Sequence, residues 1–248
     1  MFSDERADII EPIVSNGIMA PIQPMRIKRS YRINWRRSLM GTIFLTVPRP
    51  SHKYIYQLPT GITQGLHYLQ NRGVCHRDLS LENILVDEHN CLVIDMGLCL
   101  RVPYNSNGNP TSVVDATAGT LRRLIKPQGV CGKMNYMSPE ILRNAAGFDG
   151  FAIDLWAAGV ILYIMLTGFP PYDQASMADQ RFQIIVEGAL VDQLVNWDII
   201  LSGEAGDLLQ SMFRLDPRDR LTLAQVMCHP WVVHGEIEVP TQTDVPLH

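Results

Sequence analysis

Residues 75–97 read CHRDLSLENILVDEHNCLVIDMG, and no other stretch constrains the chain as tightly. Two short apolar runs, Asn83 to Val86 and Cys91 to Ile94, flank the polar tetrad Asp87-Glu88-His89-Asn90, which is a hairpin signal. Asp78 stands before the hairpin, Asn83 five residues later, and Asp95 twelve residues beyond that, next to Met96 and Gly97. Upstream, Thr63 to Gln70 carries Leu66 and Leu69 on one helical face and is closed by Asn71, Arg72 and Gly73. Downstream, residues 101–118 are polar and rich in Gly, Pro, Ser and Thr, which predicts a loop. From Asp154 the pattern is helical, and Ile153 to Leu166 is almost wholly apolar, which predicts a helix buried on all sides. Gly168, Pro170 and Pro171 end it. No internal repeat is visible.

Composition narrows the class. A chain of 248 residues, 46% hydrophobic and 19% charged, suits one globular unit with a sizeable core. A net charge of -4 gives no overall footprint for nucleic acid or an acidic membrane. The N-terminal apolar stretch Leu39 to Val47 is too short to span a bilayer. Met1 to Glu11 contains four acids and no secretory pattern. The five cysteines (Cys75, Cys91, Cys99, Cys131, Cys228) include no C-x-x-C pair, so reduced thiols in the cytosol, or the nucleus, are the expectation. Residues 1–25 predict a poorly ordered leader. Residues 26–53 hold eight Lys or Arg and no acid, read as a solvated basic arm, with a nucleic-acid or lipid contact as the sharper alternative.

The order of short motifs carries the functional reading. His76-Arg77-Asp78 with Asn83, then Asp95-Met96-Gly97, resembles the H-R-D-x-x-x-x-N catalytic loop and the D-x-G motif of the eukaryotic protein kinases. Ser138-Pro139-Glu140 resembles the A-P-E motif that closes the activation segment. Asp154-Leu155-Trp156-Ala157-Ala158-Gly159 resembles D-x-W-x-x-G of the central helix, and Asp216-Pro217-Arg218-Asp219-Arg220 the late motif whose final Arg meets the A-P-E Glu. The resemblance covers about residues 54–233. Trp197-Asp198, Glu204-Ala205, Asp207-Leu208-Leu209 and His229-Pro230-Trp231 are similar to the calcium/calmodulin-dependent group of Ser/Thr kinases, in the catalytic lobe alone.

The resemblance implies a mainly α fold, the C-terminal lobe of a protein kinase, with a helical bundle and a short β-hairpin beside the catalytic loop (α+β as a family). The implied organisation is a leader and basic arm at 1–53, the lobe at 54–233 and a flexible tail at 234–248. It implies ATP as phosphate donor, Mg2+ as cofactor and a protein hydroxyl as acceptor. Asp78 would be the base, and Asn83 and Asp95 the magnesium ligands. Leu85 would form the floor under adenine, or else be an ordinary strand residue. His76, Met96 and Gly97 are structural, with Met96 expected to pack where the family has Phe. Asp154 would hold the catalytic-loop backbone, and Glu140 and Arg220 would form a buried ion pair. Arg77 is the residue that grips an activation-loop phosphate in the family.

Three departures stand out. Ser80 replaces the Lys that follows the catalytic Asp in Ser/Thr kinases, and Gly132-Lys133 replaces their Gly-Thr. An exchange is one reading, with Lys133 supplying the ammonium and Ser80 the hydroxyl; the other is that Lys133 points to solvent. No Ser, Thr or Tyr lies between Thr120 and Tyr136, which leaves Thr111, Ser112, Thr117 or Thr120, or no phosphate at all, for switching. Finally, no G-x-G-x-x-G loop or V-A-I-K strand precedes Gly61. A truncated sequence, a genuine partner-binding lobe, and a lobe completed by another chain are the three expectations. An apolar face should then be exposed. The non-enzyme alternative is a pseudokinase-like scaffold.

Overall fold

The structure is a computed structural model and describes residues 36–37, 43–44, 52–86, 91–104, 112–114 and 121–234. The expected leader and tail, Thr111, Thr117 and Thr120 lie largely or wholly outside these residues.

Helix α3, Gly150–Thr167, is the axis around which the rest is built. Its apolar run leaves no polar face, and every residue from Gly150 to Ile164 is buried. The helix is long and apolar enough to cross a bilayer, yet protein surrounds most of it. Asp149 caps its start by accepting from the Phe151 N–H, satisfying one of the donors left free at a helix N-terminus. Trp156 sits at its middle, fully buried, with the rings of Tyr172, Phe182 and Phe213 at 5.1 to 6.2 Å in tilted or edge-on geometry. The indole N–H donates to the Tyr172 hydroxyl, so its buried polar atom is satisfied.

Helix α1, His52–Gln70, lies against α3 and buries Ile62 and Leu66. It begins well before Thr63, where the sequence pattern places its start. Pro59 and Gly61 obscure the earlier turns, and the two glycines of the helix, Gly61 and Gly65, have a tertiary reason. A Cβ on Gly61 would stand 2.3 Å from the Cys91 Cβ, and one on Gly65 would stand 2.8 Å from Val93 Cγ2. The helix is glycine-faced where a strand crosses it at close range.

That strand belongs to the expected hairpin. Strands β4 (Ile84–Val86) and β5 (Cys91–Val93) pair antiparallel, with Ile84 opposite Val93, Leu85 opposite Leu92 and Val86 opposite Cys91. Alternation sends Ile84 and its neighbours Val86, Cys91 and Val93 toward the core, and Leu85 and Leu92 to the other face. Leu92, Met96 and Leu98 are exposed, which places apolar surface on this side of the lobe.

The other described strands are short. They are β1 (Arg36–Arg37) with β2 (Ile43–Phe44), β3 (Val74–Cys75) with β6 (Leu100–Arg101), and β7 (Ser112–Val114) with β8 (Leu121–Arg123), all antiparallel pairs. The last pair corrects the reading of 101–118 as loop throughout: the β-branched Val113-Val114 finds a partner strand that a polar composition hides. Helices α2 (Pro139–Arg143), α4 (Gln180–Val186), α5 (Leu190–Asn196), α6 (Gly203–Met212), α7 (Leu223–Met227) and α8 (Pro230–His234) complete a mainly helical domain. Asp179, Ser202 and Thr222 cap α4, α6 and α7, the last in a reciprocal capping box with Gln225.

Candidate active site

The site begins with a buried carboxylate. Asp154, on the second turn of α3, is 1% exposed, and its two oxygens accept from the backbone N–H groups of His76 (2.6 Å) and Arg77 (2.8 Å). Burial pushes this carboxyl up to about 6, against the opposing pull of those two donors. Its two oxygens each accept from one amide, so the carboxyl holds both. Arg77 needs the support, because its φ of +69° is a left-handed conformation that costs a side-chain-bearing residue roughly 1–2 kcal/mol. His76 is fully buried. Its Nε2–H donates to the Ile94 carbonyl at 3.0 Å and its Nδ1 accepts from the Asp78 N–H at 3.3 Å, one self-consistent tautomer. The loop carrying Asp78 is thus tied to α3 on one side and to the end of β5 on the other.

Asp78 and Asn83 are brought together directly. The Asn83 amide donates to the Asp78 backbone carbonyl at 2.8 Å and to its Oδ2 at 3.1 Å. Lys133, from the segment before α2, places Nζ 2.7 Å from Ser80 Oγ, 3.6 Å from Asp78 Oδ2 and 3.9 Å from Glu82 Oε2. The two departures in the motifs, Ser80 and Lys133, are therefore hydrogen-bonded to each other beside Asp78.

Across the hairpin, the Ile94 N–H donates to the Asn83 carbonyl at 2.9 Å. Asp95 follows at φ +66°, exposed, with one carboxylate oxygen accepting from the Gly97 N–H at 3.3 Å. Asn83 and Asp95 flank the open end of β4 and β5. With Nδ2 engaged by Asp78, the Asn83 amide oxygen and the second Asp95 carboxylate oxygen are left without a hydrogen bond among the described residues. This hard, two-oxygen donor set fits magnesium, which keeps waters and substrate phosphates as its remaining ligands. Met96 corrects an expectation: it is 46% exposed rather than packed, because the 3-10 turn at Met96–Leu98 buries none of its residues, and its sulfur accepts from the Cys99 thiol at 3.4 Å. Leu85 is half-buried on the outward face of the hairpin, beside exposed Leu92.

Glu140 and Arg220 meet as a bidentate pair at 2.9 and 3.3 Å. Arg220 also donates to the Ala152 and Arg214 carbonyls and lies 4.8 Å from the Trp156 ring. Two partnerships were missed in the sequence. Arg122 of β8 pairs with Asp149 at 2.8 Å, both buried, and lies 4.7 Å from the Phe151 ring. Arg77 donates to Cys131 Sγ at 2.8 Å and to the Leu98 carbonyl at 3.3 Å, which no motif signals.

The protein kinase domain family matches residues 46–232, beginning somewhat before the span expected from the motifs. The chain is 34% identical over 175 residues to the serine/threonine-protein kinase DCLK3 of Mus musculus, covering 70% of this chain and 20% of that protein. It is 34% identical over 179 residues to CBL-interacting protein kinase 17 of Oryza sativa subsp. japonica, covering 72% and 34%. The catalytic-loop geometry and these matches agree: the chain belongs to the protein kinase family. It spans a fifth to about a third of the length of these relatives.

Proposed function

We propose that the protein transfers the γ-phosphate of ATP to a serine or threonine hydroxyl of a protein substrate. The supporting observation is the placement of the Lys133 ammonium between Ser80 Oγ and Asp78 Oδ2. Phosphoryl transfer asks little covalent chemistry of a protein; it asks for a positioned nucleophile and fixed positive charge. Asp78 orients the acceptor hydroxyl and takes its proton. Asn83 holds Asp78 in place through Nδ2 and offers its oxygen, with that of Asp95, to Mg2+. When bound, the metal neutralises charge on the phosphate oxygens. Lys133 takes the part of the missing loop Lys, entering from the activation segment, while Ser80 takes the part of the missing Thr.

The test is a swap in an active form of the protein. Lys133→Ala should lower kcat by about 10²–10³-fold, the usual loss when one preorganised charge-stabilising donor is removed. The double variant Lys133→Thr with Ser80→Lys restores the family's arrangement and should recover much of the rate. Unchanged turnover in Lys133→Ala would sink the exchange.

A second reading is a pseudokinase-like scaffold. Its supporting observation is that Ser80, Asp78 and Glu82 already surround the Lys133 ammonium, two of them as carboxylates. On that reading nucleotide binds without transfer. The exposed apolar residues of the hairpin side would then meet a partner that covers the nucleotide face. The site of action on either reading is the cytoplasm or nucleus.

A further inference from the structure

Strand β8 is fastened to the lobe at several points besides its pairing with β7. The Arg123 N–H donates to the Pro103 carbonyl at 2.7 Å, and Ile125 and Phe148 exchange backbone hydrogen bonds at 2.8 and 2.9 Å. Arg122 lies beside these contacts, 5% exposed, with Nη2 2.8 Å from Asp149 Oδ2 and its guanidinium 4.7 Å from the Phe151 ring. Asp149 is 3% exposed, and its other oxygen accepts from the Phe151 N–H at 3.0 Å as the cap of α3. One buried carboxylate therefore joins the activation segment to the start of the central helix. Five residues on, Asp154 holds the His76 and Arg77 amides of the catalytic loop.

We propose that Arg122 is a positioning residue for the catalytic loop: it fixes Asp149 at the start of α3, and α3 in turn fixes Asp154 against the His76 and Arg77 amides. The chain of contacts runs from β8 through Arg122, Asp149 and the first turns of α3 to Asp154. Arg122 supplies a countercharge for Asp149, and a buried carboxylate deprived of its partner is costly. Asp149 and Asp154 are also like charges buried near the start of one helix. Burial raises the Asp154 carboxyl most, and the Asp149 charge raises it further. Without Arg122, Asp149 gains by moving toward water. That movement gives up the α3 cap and loosens the first turns of the helix, the part that carries Asp154. Arg122 touches none of the reacting groups; it acts through α3. Its consequence for the rate rests on the proposed phosphoryl transfer, whereas its hold on the catalytic loop does not.

The experiment follows native-state hydrogen exchange of the full chain at the His76 and Arg77 amides. Arg122→Met should speed exchange there by about tenfold or more. Asp149→Asn keeps an oxygen for the α3 cap and should move exchange the same way by less. The double variant leaves neither charge to be buried and should return exchange close to the parent rate. Gly206→Ala places a Cβ 2.7 Å from Val191 Cγ2, between α5 and α6. It controls for a general loss of stability and should not reproduce the effect at equal Tm. Unchanged exchange in Arg122→Met, an equal rise in Gly206→Ala, or no recovery in the double variant overturns the proposal. Should Arg122→Met fail to fold, Asp149→Asn and the double variant decide it. In an active form of the protein, Arg122→Met should also lower kcat about tenfold and leave the KM for ATP nearly unchanged. Faster exchange with an unchanged kcat would reduce Arg122 to a stability residue and overturn the positioning role. A parent protein with no transfer activity would sink the kinase reading, while the exchange rates would still decide this one.

Discussion

Replacing Arg220 by Met keeps much of the side-chain volume and removes the guanidinium. The Arg220 side chain is wholly buried, and its partner Glu140 is 15% exposed. The change leaves a nearly buried carboxylate without its countercharge and takes the donors from the Ala152 and Arg214 carbonyls. Breaking one side of a buried pair costs about 3–5 kcal/mol, and the residual exposure of Glu140 argues for the lower half of that range. In a domain of this size each kcal/mol moves Tm by about 2–4 °C, so thermal unfolding should fall by roughly 6–16 °C. The control is Arg220→Met with Glu140→Leu, in which neither charge remains to be buried; it should recover most of the loss. Both variants can be followed by calorimetry and by urea titration. The reasoning is refuted if Arg220→Met melts like a surface substitution, within about 0.5 kcal/mol of the parent, or if the double variant is no more stable than the single.

Gly61→Ala should destabilise by about 1–3 kcal/mol through overpacking against Cys91, and Cys91→Gly should relieve it in the double variant, both read from urea melts. Asp154→Asn turns an acceptor into a donor facing a backbone N–H, so the His76 or Arg77 amide should exchange hydrogen faster, with a stability loss of about 1–3 kcal/mol. Alkylation with iodoacetamide at pH 8 should reach exposed Cys228 well before Cys75, Cys91 and Cys99. Burial pushes the Cys91 thiol up to about 11 and Cys99 up to about 12, so their thiolate fractions, and their alkylation rates by peptide mass spectrometry, should rise with pH across the range from 8 to 10.

How much of this was legible depended on whether a residue's role is local or tertiary. The hairpin was readable because its two apolar runs and polar turn are contiguous. Helix α3 was readable because an all-apolar run of that length has few other homes. The start of α1 was not, since Gly61 answers to β5 across the fold and, with Pro59, looks like a helix breaker in the sequence alone. The placement of Asp78, Asn83 and Asp95 followed from motif order, whereas Met96 was misjudged: a residue's chemistry does not say which way a single 3-10 turn will face. Arg122 with Asp149 and Arg77 with Cys131 join segments far apart in the chain, and no short-range pattern marks them. The nearness of Ser80 and Lys133 could be suspected from two departures of opposite sense, but the 2.7 Å separation needed coordinates.

The most direct test of the central claim is transfer of labelled γ-phosphate from ATP to Ser/Thr peptides by the native protein with Mg2+, against the same protein carrying Asp78→Asn. The account predicts label on serine or threonine, dependent on Mg2+ and abolished by Asp78→Asn. Magnesium-dependent nucleotide binding with no transfer above the Asp78→Asn background would contradict it and leave the scaffold reading in its place.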